Sequence, residues 1–309
     1  MGKLEFYSTI EDKINIFPGS IIITNKNDFD TVWKNQKDER EFIYRGVNNA
    51  TFKLYNSAQR FWINNEMERW GIDYHKMIEE ILGRTKKQNN SLVLRYFQSL
   101  GIKDENNDMP ILSFMQHHTG ISPLLDFTRN FSVALYFAIQ SSDTINFEKN
   151  EFENYISVYI IYKSISDLLD APRQVFKEEV YKRKNNEKYK RPFNYEMIKT
   201  IPVATIEDDA IKDWCSYYVG TNFSIMNQSG LFISNNSPVK PLEQQIKDTF
   251  VGELDANTKE WISCIEIHKN LIPYIKDIIE NEKGITKDSI FPNPNVIVKN
   301  AFDNYLKEK

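Results

Sequence analysis

The sequence predicts a mixed α+β fold, with a mainly antiparallel sheet surrounded by helices. The segment "YISVYIIYK" is β-branched and aromatic without interruption, which is typical of a buried strand. The segment "NFSVALYFAIQ" is apolar on almost every side, as expected of a helix inside the core. Strand and helix patterns follow one another in irregular order, which favours α+β over a doubly wound sheet.

The first part of the chain predicts two strands and several helices. "SIIIT" reads as a short strand, and "DFDTVWKNQ" as a helix with Asn27 or Asp28 as its N-cap. "REFIYRGV" alternates apolar and polar residues and is closed by Gly46, which predicts a strand ending in a tight turn. From Glu66 to Gln98 the apolar residues recur at helical spacing, and we expect two helices broken near Gly83.

The rest of the chain continues the alternation of strands and helices. "LLDFT" predicts a short buried strand, and "GLFIS" and "WISCIEIHKN" predict two more. "LIPYIKDIIENE" predicts a helix, and "SIFPNPNVIVKNAFDNYL" predicts a Pro-rich turn followed by a last helix.

The length of 309 residues is compatible with one large domain. We expect an N-terminal elaboration at about 1–40 and a core at about 41–163 and 219–300. Between them, at about 164–218, the composition turns polar, and "VYKRKNNEKYKRPFNYE" predicts a charged, solvated insertion.

Composition excludes several classes of protein. The hydrophobic fraction of 41% rules out a disordered chain, and the formal net charge of −4 gives no overall attraction to nucleic acid. The basic run Lys182 to Arg191 leaves nucleic acid or a partner protein open as a binding partner. The opening residues lack the apolar core of a signal peptide and no stretch is long enough for a membrane span, so we expect a cytoplasmic protein that does not contact the membrane.

No metal or disulfide framework is expected. Cys215 and Cys264 stand far apart without a CxxC or Cys/His cluster, and no HExxH, P-loop or GxGxxG motif is present. No carboxylate pair has a spacing suited to a hard cation, so a metal-dependent nuclease is the least favoured class of function.

Polar residues precede the apolar helix in "SFMQHHTGISPLLDFTRNFSVALYFAI". These residues could form a catalytic or ligand-binding site. They could also cap the helix, because Asp126 or Thr128 is an ordinary N-cap residue. Arg45 offers a planar fork of donors that suits phosphate, and Gly46 would let a ligand approach the backbone closely. A surface turn or a buried salt bridge would also account for Arg45.

Five segments together resemble the FRG domain family, named for a Phe/Tyr-Arg-Gly signature. They are "FIYRGV", "FKLYNSAQR", "QHHTGISPLLDFTRNFSVALYFA", "NQSGLFIS" and "GITKDSIFPNP", in the expected order. The sequence departs from the usual family block Gln-His-Tyr-Gly-x-Pro-Thr-Arg-Leu-Leu-Asp-Trp at His118, Thr119, Ile121, Pro123 and Phe127.

A second resemblance, to ADP-ribosyltransferases, lies in the aromatic-Arg-Gly strand followed by a strand, a polar turn and "SVALYFA". It implies an ADP-ribosyltransferase-like fold and NAD as substrate, with Arg45 on its phosphates or ribose. Tyr44, Phe127 or Tyr136 would stack on a ring of the ligand. A carboxylate would stabilise the oxocarbenium-like state, and Glu253 or Glu266 would supply the late-strand glutamate.

These interpretations give two sets of candidate site residues. The candidate catalytic residues are Arg45, His117, Asp126 and Glu266. The candidate cofactor-binding residues are Tyr44, Arg45, Gly46, Gln116, Tyr136 and Gln228.

Two functions remain open from the sequence. The first is an NAD-using, ADP-ribosyltransferase-like enzyme, acting as a bacterial toxin or phage-defence effector. The alternative is a module that binds a nucleotide or phosphate ligand without chemistry. The enzyme requires a carboxylate within reach of Arg45.

Overall fold

The computed structural model describes residues 3–38, 42–100, 108–118, 120–140, 142, 145, 151–162, 194–206, 223–249 and 262–307. The strands in these ranges are β1 (Ile21–Ile23), β2 (Phe42–Val47), β3 (Leu124–Thr128), β4 (Tyr155–Tyr162), β5 (Val203–Ile206), β6 (Gly230–Asn235) and β7 (Ile262–His268). They form a sheet in the order β1-β7-β4-β2-β3-β6-β5.

Helices surround this sheet. Those described are α1 (Ile10–Ile16), α2 (Lys26–Gln36), α3 (Ser57–Asn64), α4 (Tyr74–Ser99), α5 (Met109–His117), α6 (Phe131–Ile139), α7 (Tyr195–Ile198), α8 (Phe223–Asn227), α9 (Leu242–Thr249), α10 (Ile272–Lys283), α11 (Lys287–Ile290) and α12 (Pro294–Lys307). Short 3₁₀ turns occur at Met67–Trp70, Glu151–Asn154 and Lys269–Leu271. None of the helices in the described ranges is long and apolar enough to span a membrane.

Strand pairing confirms the predicted mainly antiparallel α+β fold. Strand β1 runs parallel to β7, and every other neighbouring pair of described strands is antiparallel. The predicted central strand β4 lies between β2 and β7, with most of its residues fully buried.

Each face of the sheet packs against its own layer. On one face, Tyr44 of β2 and Val158 of β4 pack with Leu135 of α6 and Ile279 of α10. On the other face, Ile43 of β2 packs in a second cluster with residues of α9, and α4 and α5 belong to a third apolar cluster. The nearly all-apolar helix α6 is thus buried as the sequence predicted, with its residues Phe131 to Leu135 inaccessible to solvent.

Two helix starts differ from the sequence predictions. The N-cap of α6 is Asn130, whose Oδ1 accepts a hydrogen bond from the Ser132 backbone N–H at 2.9 Å. Asp126 lies in the strand before it, so its predicted capping role is wrong. Helix α2 begins after Asn25, two residues earlier than the nearer predicted cap, because the Asn25 side chain accepts from the Asp28 N–H.

The break in α4 also lies later than predicted. Gly83 is within regular helix, while residues 88–91 leave the helical region and Asn89 has a φ of 49°. Asparagine tolerates the left-handed region better than most residues, whereas a glycine inside a helix costs only about 1 kcal/mol. The asparagine pair therefore interrupts the helix and Gly83 does not.

Strand β5 lies inside the segment predicted to be a solvated insertion. Its four residues are buried and pair antiparallel with β6, so the prediction is wrong for 203–206. The basic run Lys182 to Arg191, Cys215 and Glu253 lie outside the described residues. The division of the chain into a single domain stays a prediction.

Candidate functional site

A cleft lies where strands β2 and β3 diverge. The described strands share a single residue pair, Tyr44 with Thr128, and beyond it they separate. The guanidinium of Arg45 lies in the gap, where Nη1 donates a hydrogen bond to the backbone oxygen of Asp126 at 2.6 Å. A side-chain donor thus takes the place of a ladder hydrogen bond and keeps this backbone acceptor paired.

The cleft has a volume of about 620 Å³. All the predicted site residues except Tyr136 and Glu266 line it. They are Tyr44, Arg45, Gly46, Gln116, His117, Asp126 and Gln228. The structure therefore brings the Arg-Gly strand and the polar block before α6 to one place.

Asp126 presents its carboxylate to this cleft. Its Oδ2 accepts a hydrogen bond from Gln116 Nε2 at 2.6 Å and lies 3.9 Å from Arg45 Nη1. The Asp126 side chain is 43% exposed and therefore accessible to a ligand, while that of Arg45 is 19% exposed and mostly buried in the wall of the cleft. Burial lowers the pKa of the Arg45 guanidinium and Asp126 opposes this shift, and arginine stays charged at neutral pH.

Three buried polar atoms of the cleft find no hydrogen-bond partner among the described residues. They are Arg45 Nε, Gln116 Oε1 and His117 Nε2. A buried polar atom without a partner costs about 1–3 kcal/mol. Their occurrence on three residues of one cleft is typical of a surface completed by a polar ligand or by water.

Arg60 is a cleft residue to which sequence reasoning assigned no role. It extends from α3 into the cleft lining, and its Nη1 donates to the Tyr55 backbone oxygen at 2.7 Å. Partial burial, followed by the positive charge of Arg45, lowers its pKa. Nothing in the local pattern marks Arg60 as a ligand contact. Its position at the end of the FRG-like segment "FKLYNSAQR" was the one feature of the sequence that could have indicated a role in the site.

The charges that line the cleft leave an excess of positive charge. Lys53 and Glu5 pair with each other, with Nζ and Oε2 2.5 Å apart. Arg45 and Arg60 then face the single carboxylate of Asp126 among the described lining residues. This balance favours an anionic ligand.

His117 is held in its neutral form. Desolvation by burial lowers the pKa of its imidazole, the Asp126 carboxylate raises it, and His118 lowers it again. Because the net shift is downward, His117 is neutral at pH 7 and its ring can accept a proton.

The lowered pKa predicts a pH-dependent stability. Below about pH 6.5 the histidine binds a proton more readily in the unfolded state than in the folded state. This residue therefore lowers the free energy of unfolding as the pH decreases. We expect His117→Gln to lose less stability than the wild type between about pH 7.5 and about pH 5. Urea unfolding at several pH values measures the difference, and parallel curves for the two proteins would contradict it.

The absence of a side chain at Gly46 allows helix α6 to pack closely on β2. A Cβ atom at Gly46 would lie 1.9 Å from the backbone oxygen of Ala134 and 2.7 Å from the backbone nitrogen of Ala138. Helix α6 fills this space, so the close backbone approach allowed by the missing side chain is to α6. Gly46 also lines the cleft, and a ligand contact with its backbone stays a prediction.

The aromatic residues proposed for stacking are placed unfavourably. Tyr44 is fully buried and donates its hydroxyl hydrogen bond to Gln36 Oε1, and Phe127 is 3% exposed. Tyr136 does not line the cleft and lies against Phe291, with ring centroids 6.5 Å apart. Tyr44 and Phe127 line the cleft but are almost inaccessible to solvent, so their rings are poorly placed for stacking on a ligand.

Glu266 lies away from the cleft, in the core. Its carboxylate is 2.8 Å from Lys13 Nζ, both side chains are 1% exposed, and it accepts a hydrogen bond from Ser157 Oγ. The structure does not bring it to Arg45, because the registers of β4 and β7 carry it three strands away from β3. It therefore offers no carboxylate to a ligand in the cleft.

Gln228 joins the cleft wall to α11. Its backbone oxygen accepts a hydrogen bond from Thr128 Oγ1, and its Nε2 donates to the Ile290 backbone oxygen at 3.2 Å. The described residues hold no group of three histidine, cysteine, aspartate or glutamate side chains that could bind a metal ion.

The fold and cleft define the class of the protein as an α+β domain with an arginine-lined cleft between diverging strands. Residues 40–146 match the family model of the FRG domain. This segment therefore contains an FRG domain, as its motifs predicted. No curated protein and no solved structure matches the chain significantly.

The matched segment contains five of the polar residues that line the cleft: Arg45, Arg60, Gln116, His117 and Asp126. The later motifs "NQSGLFIS" and "GITKDSIFPNP" lie beyond it. They contribute Gln228 and Phe291 to the same cleft.

Proposed function

We propose that the cleft binds a nucleotide through its phosphate groups, and that this nucleotide is NAD. The observation that carries the proposal is the position of the Arg45 guanidinium, which is held in the gap between β2 and β3 with Nε unpartnered among the described residues. A planar guanidinium fixed at one nitrogen can offer its other donors to phosphate oxygens in a bidentate contact.

Arg60 supports a ligand with more than one negative charge. Two guanidinium groups line one cleft and repel each other in the absence of an anion. A pyrophosphate group relieves this repulsion and supplies acceptors for both. The unpartnered atoms of Gln116 and His117 would bind the adjoining ribose hydroxyls or amide groups.

The proposed reaction is cleavage of the bond between nicotinamide and ribose. The C–N bond breaks, its electron pair goes to the nicotinamide ring nitrogen, and the ribose carbon becomes cationic. The Asp126 carboxylate stabilises that cation, while neutral His117 accepts the proton of the attacking water or acceptor hydroxyl. Glu266 has no part in this scheme because it lies in the core.

An enzyme that consumes NAD in this way suits a bacterial toxin or phage-defence effector acting in the cytoplasm, where NAD is found, and we propose that role. The alternative, a cleft that binds nucleotides without chemistry, is favoured by the position of Glu266. Among the described residues that line the cleft, the carboxylates are Asp126 and Glu5, and Glu5 is already paired with Lys53.

Ligand-dependent thermal stabilisation, with nicotinamide release assayed in the same samples, tests the proposal. Arg45→Ala is expected to weaken NAD and ADP-ribose binding about 10- to 150-fold, because it removes charge-assisted hydrogen bonds. Asp126→Asn is expected to keep binding within several-fold and to reduce nicotinamide release about 100- to 1000-fold. Arg69→Ala removes an exposed arginine away from the cleft and is the matched control.

The outcomes separate the two functions. Binding that depends on Arg45, together with release that depends on Asp126, supports the enzyme. Binding that depends on Arg45 without any release supports the binding module. Equal behaviour of the Arg45→Ala and Arg69→Ala proteins would contradict both.

A further inference from the structure

We propose that the cleft has two separate ring-binding ends, one on each side of its arginines, and therefore accepts a dinucleotide whose two ring systems flank its phosphates. This inference rests on the proposed function and deepens it by assigning the ring subsites. It replaces the stacking roles expected for Tyr44 and Phe127, which are buried, and for Tyr136, which does not line the cleft.

The first end is formed by Phe6 and Phe52. These residues face each other in an antiparallel bridge between the N-terminal segment and the turn after β2. Their ring centroids are 6.0 Å apart, and the residues are 54% and 38% exposed. Lys53 and Leu54 complete the cleft lining beside them. The two rings are tilted by 57°, and each exposed ring offers an apolar face on which a base can stack.

The second end is formed by Phe137 of α6 and Phe291, which follows α11. Their ring centroids are 6.0 Å apart with nearly perpendicular planes, and Phe291 is 38% exposed. Gln140 and Gln228 line the cleft with them and supply amide groups to the edge of a ring.

The two ends lie on opposite faces of the sheet. The Phe52 backbone oxygen accepts a hydrogen bond from Tyr159, which packs in the apolar cluster on one face. Phe137 packs against the cluster on the other face, which contains Tyr44, and its ring contacts that of Phe291. The Arg45 guanidinium lies in the gap between β2 and β3, between these two faces.

The grouping of these rings argues against chance exposure. Single apolar residues are common on protein surfaces and need no explanation. Here two aromatic pairs from four separate chain segments line the same cleft as two arginines. Stacking of a base on an aromatic side chain contributes about 1–3 kcal/mol, which corresponds to about 5- to 150-fold in affinity.

The experiment measures the dissociation constants of inorganic pyrophosphate, ADP-ribose and NAD by calorimetry, in an Asp126→Asn background that limits turnover. Phe52→Ala and Phe291→Ala are compared with Phe302→Ala, an exposed phenylalanine of α12 outside the cleft. Melting temperatures show that each variant is folded.

We expect NAD to bind more tightly than ADP-ribose, which lacks the second ring system. One aromatic variant should weaken the binding of both NAD and ADP-ribose about 5- to 150-fold. The other should weaken only the binding of NAD, to the affinity that ADP-ribose has for the protein. Neither variant should change pyrophosphate binding.

Three results would overturn the inference. If both aromatic variants match Phe302→Ala while pyrophosphate still binds through Arg45, the phosphate site stands and the two ring subsites fail. If only one aromatic variant has an effect, the cleft takes a mononucleotide. If pyrophosphate, ADP-ribose and NAD all fail to bind, the proposed function fails together with the subsites.

Discussion

Replacing Glu266 by glutamine is expected to lower the free energy of unfolding by about 3–5 kcal/mol, the largest effect we predict. The carboxylate and the Lys13 ammonium are both 1% exposed and 2.8 Å apart. The variant keeps the shape of the side chain but leaves a buried lysine without its counter-charge.

The surroundings of Lys13 explain why the charge cannot be released to water. Its Nζ donates to the Ala50 backbone oxygen at 2.9 Å and to Ser157 Oγ at 2.7 Å, in addition to its pair with Glu266. The ammonium also lies 4.6 Å from the centroid of the Tyr159 ring and 5.3 Å from that of Tyr7. Two hydrogen bonds and the ion pair with Glu266 therefore hold the ammonium inside the core.

Urea unfolding of three further variants supplies the controls. Asp248→Asn breaks an exposed pair with Lys240 and is expected to leave stability unchanged, since such pairs contribute little. The double variant Lys13→Met with Glu266→Leu removes both charges and is expected to be more stable than Glu266→Gln or Lys13→Met alone.

Nicotinamide release distinguishes this structural role from catalysis by Glu266. We expect the folded Glu266→Gln protein to retain whatever release the wild type shows. A variant of wild-type stability that has lost release would contradict the core position of this carboxylate and restore it as a catalytic candidate.

Replacing Gly46 by alanine is expected to have the second-largest effect, lowering the free energy of unfolding by roughly 3 kcal/mol or more. The added methyl group would overlap the backbone of α6, 1.9 Å from the Ala134 oxygen. Backbone atoms cannot rotate aside as a flexible side chain can, so either the helix or the strand must move.

Gly83→Ala is the matched control for this substitution. Gly83 lies within helix α4, and a Cβ there would meet no atom within 4 Å. Alanine is therefore expected to stabilise the protein by about 0.5–1 kcal/mol. Thermal unfolding of the two variants should give shifts of opposite sign, and a Gly46→Ala protein as stable as the wild type would show that α6 does not pack this closely on β2.

Much of the fold was predictable because its strongest patterns are local. Uninterrupted β-branched and aromatic residues marked β4, and apolar residues on nearly every side marked α6. Both patterns report burial directly, since such residues are stable only inside a core. The break in α4 was misplaced because helix interiors tolerate a glycine such as Gly83, and strand β5 was missed because its charged neighbours dominated the composition.

The candidate site was predictable only in part. Arg45, Gln116, His117 and Asp126 stood out because their motifs resemble those of the FRG family, and the structure places them around one cleft. Glu266 was chosen only for its late position in the chain, which does not reveal its partner. Arg60 was overlooked because its local pattern is that of an ordinary helical residue.

The amino-acid sequence by itself determined the class of fold, the burial of β4 and α6, and the presence of an FRG domain at residues 40–146. These follow from side-chain periodicity and from motifs that act within a few residues of one another. The tertiary structure alone decided which distant residues meet. The separation of β2 from β3 opened the cleft around Arg45, while the pairing of β4 with β7 carried Glu266 to Lys13 in the core. The physical reason is that strand register and helix packing set contacts between segments far apart in the chain, and local propensity does not encode them.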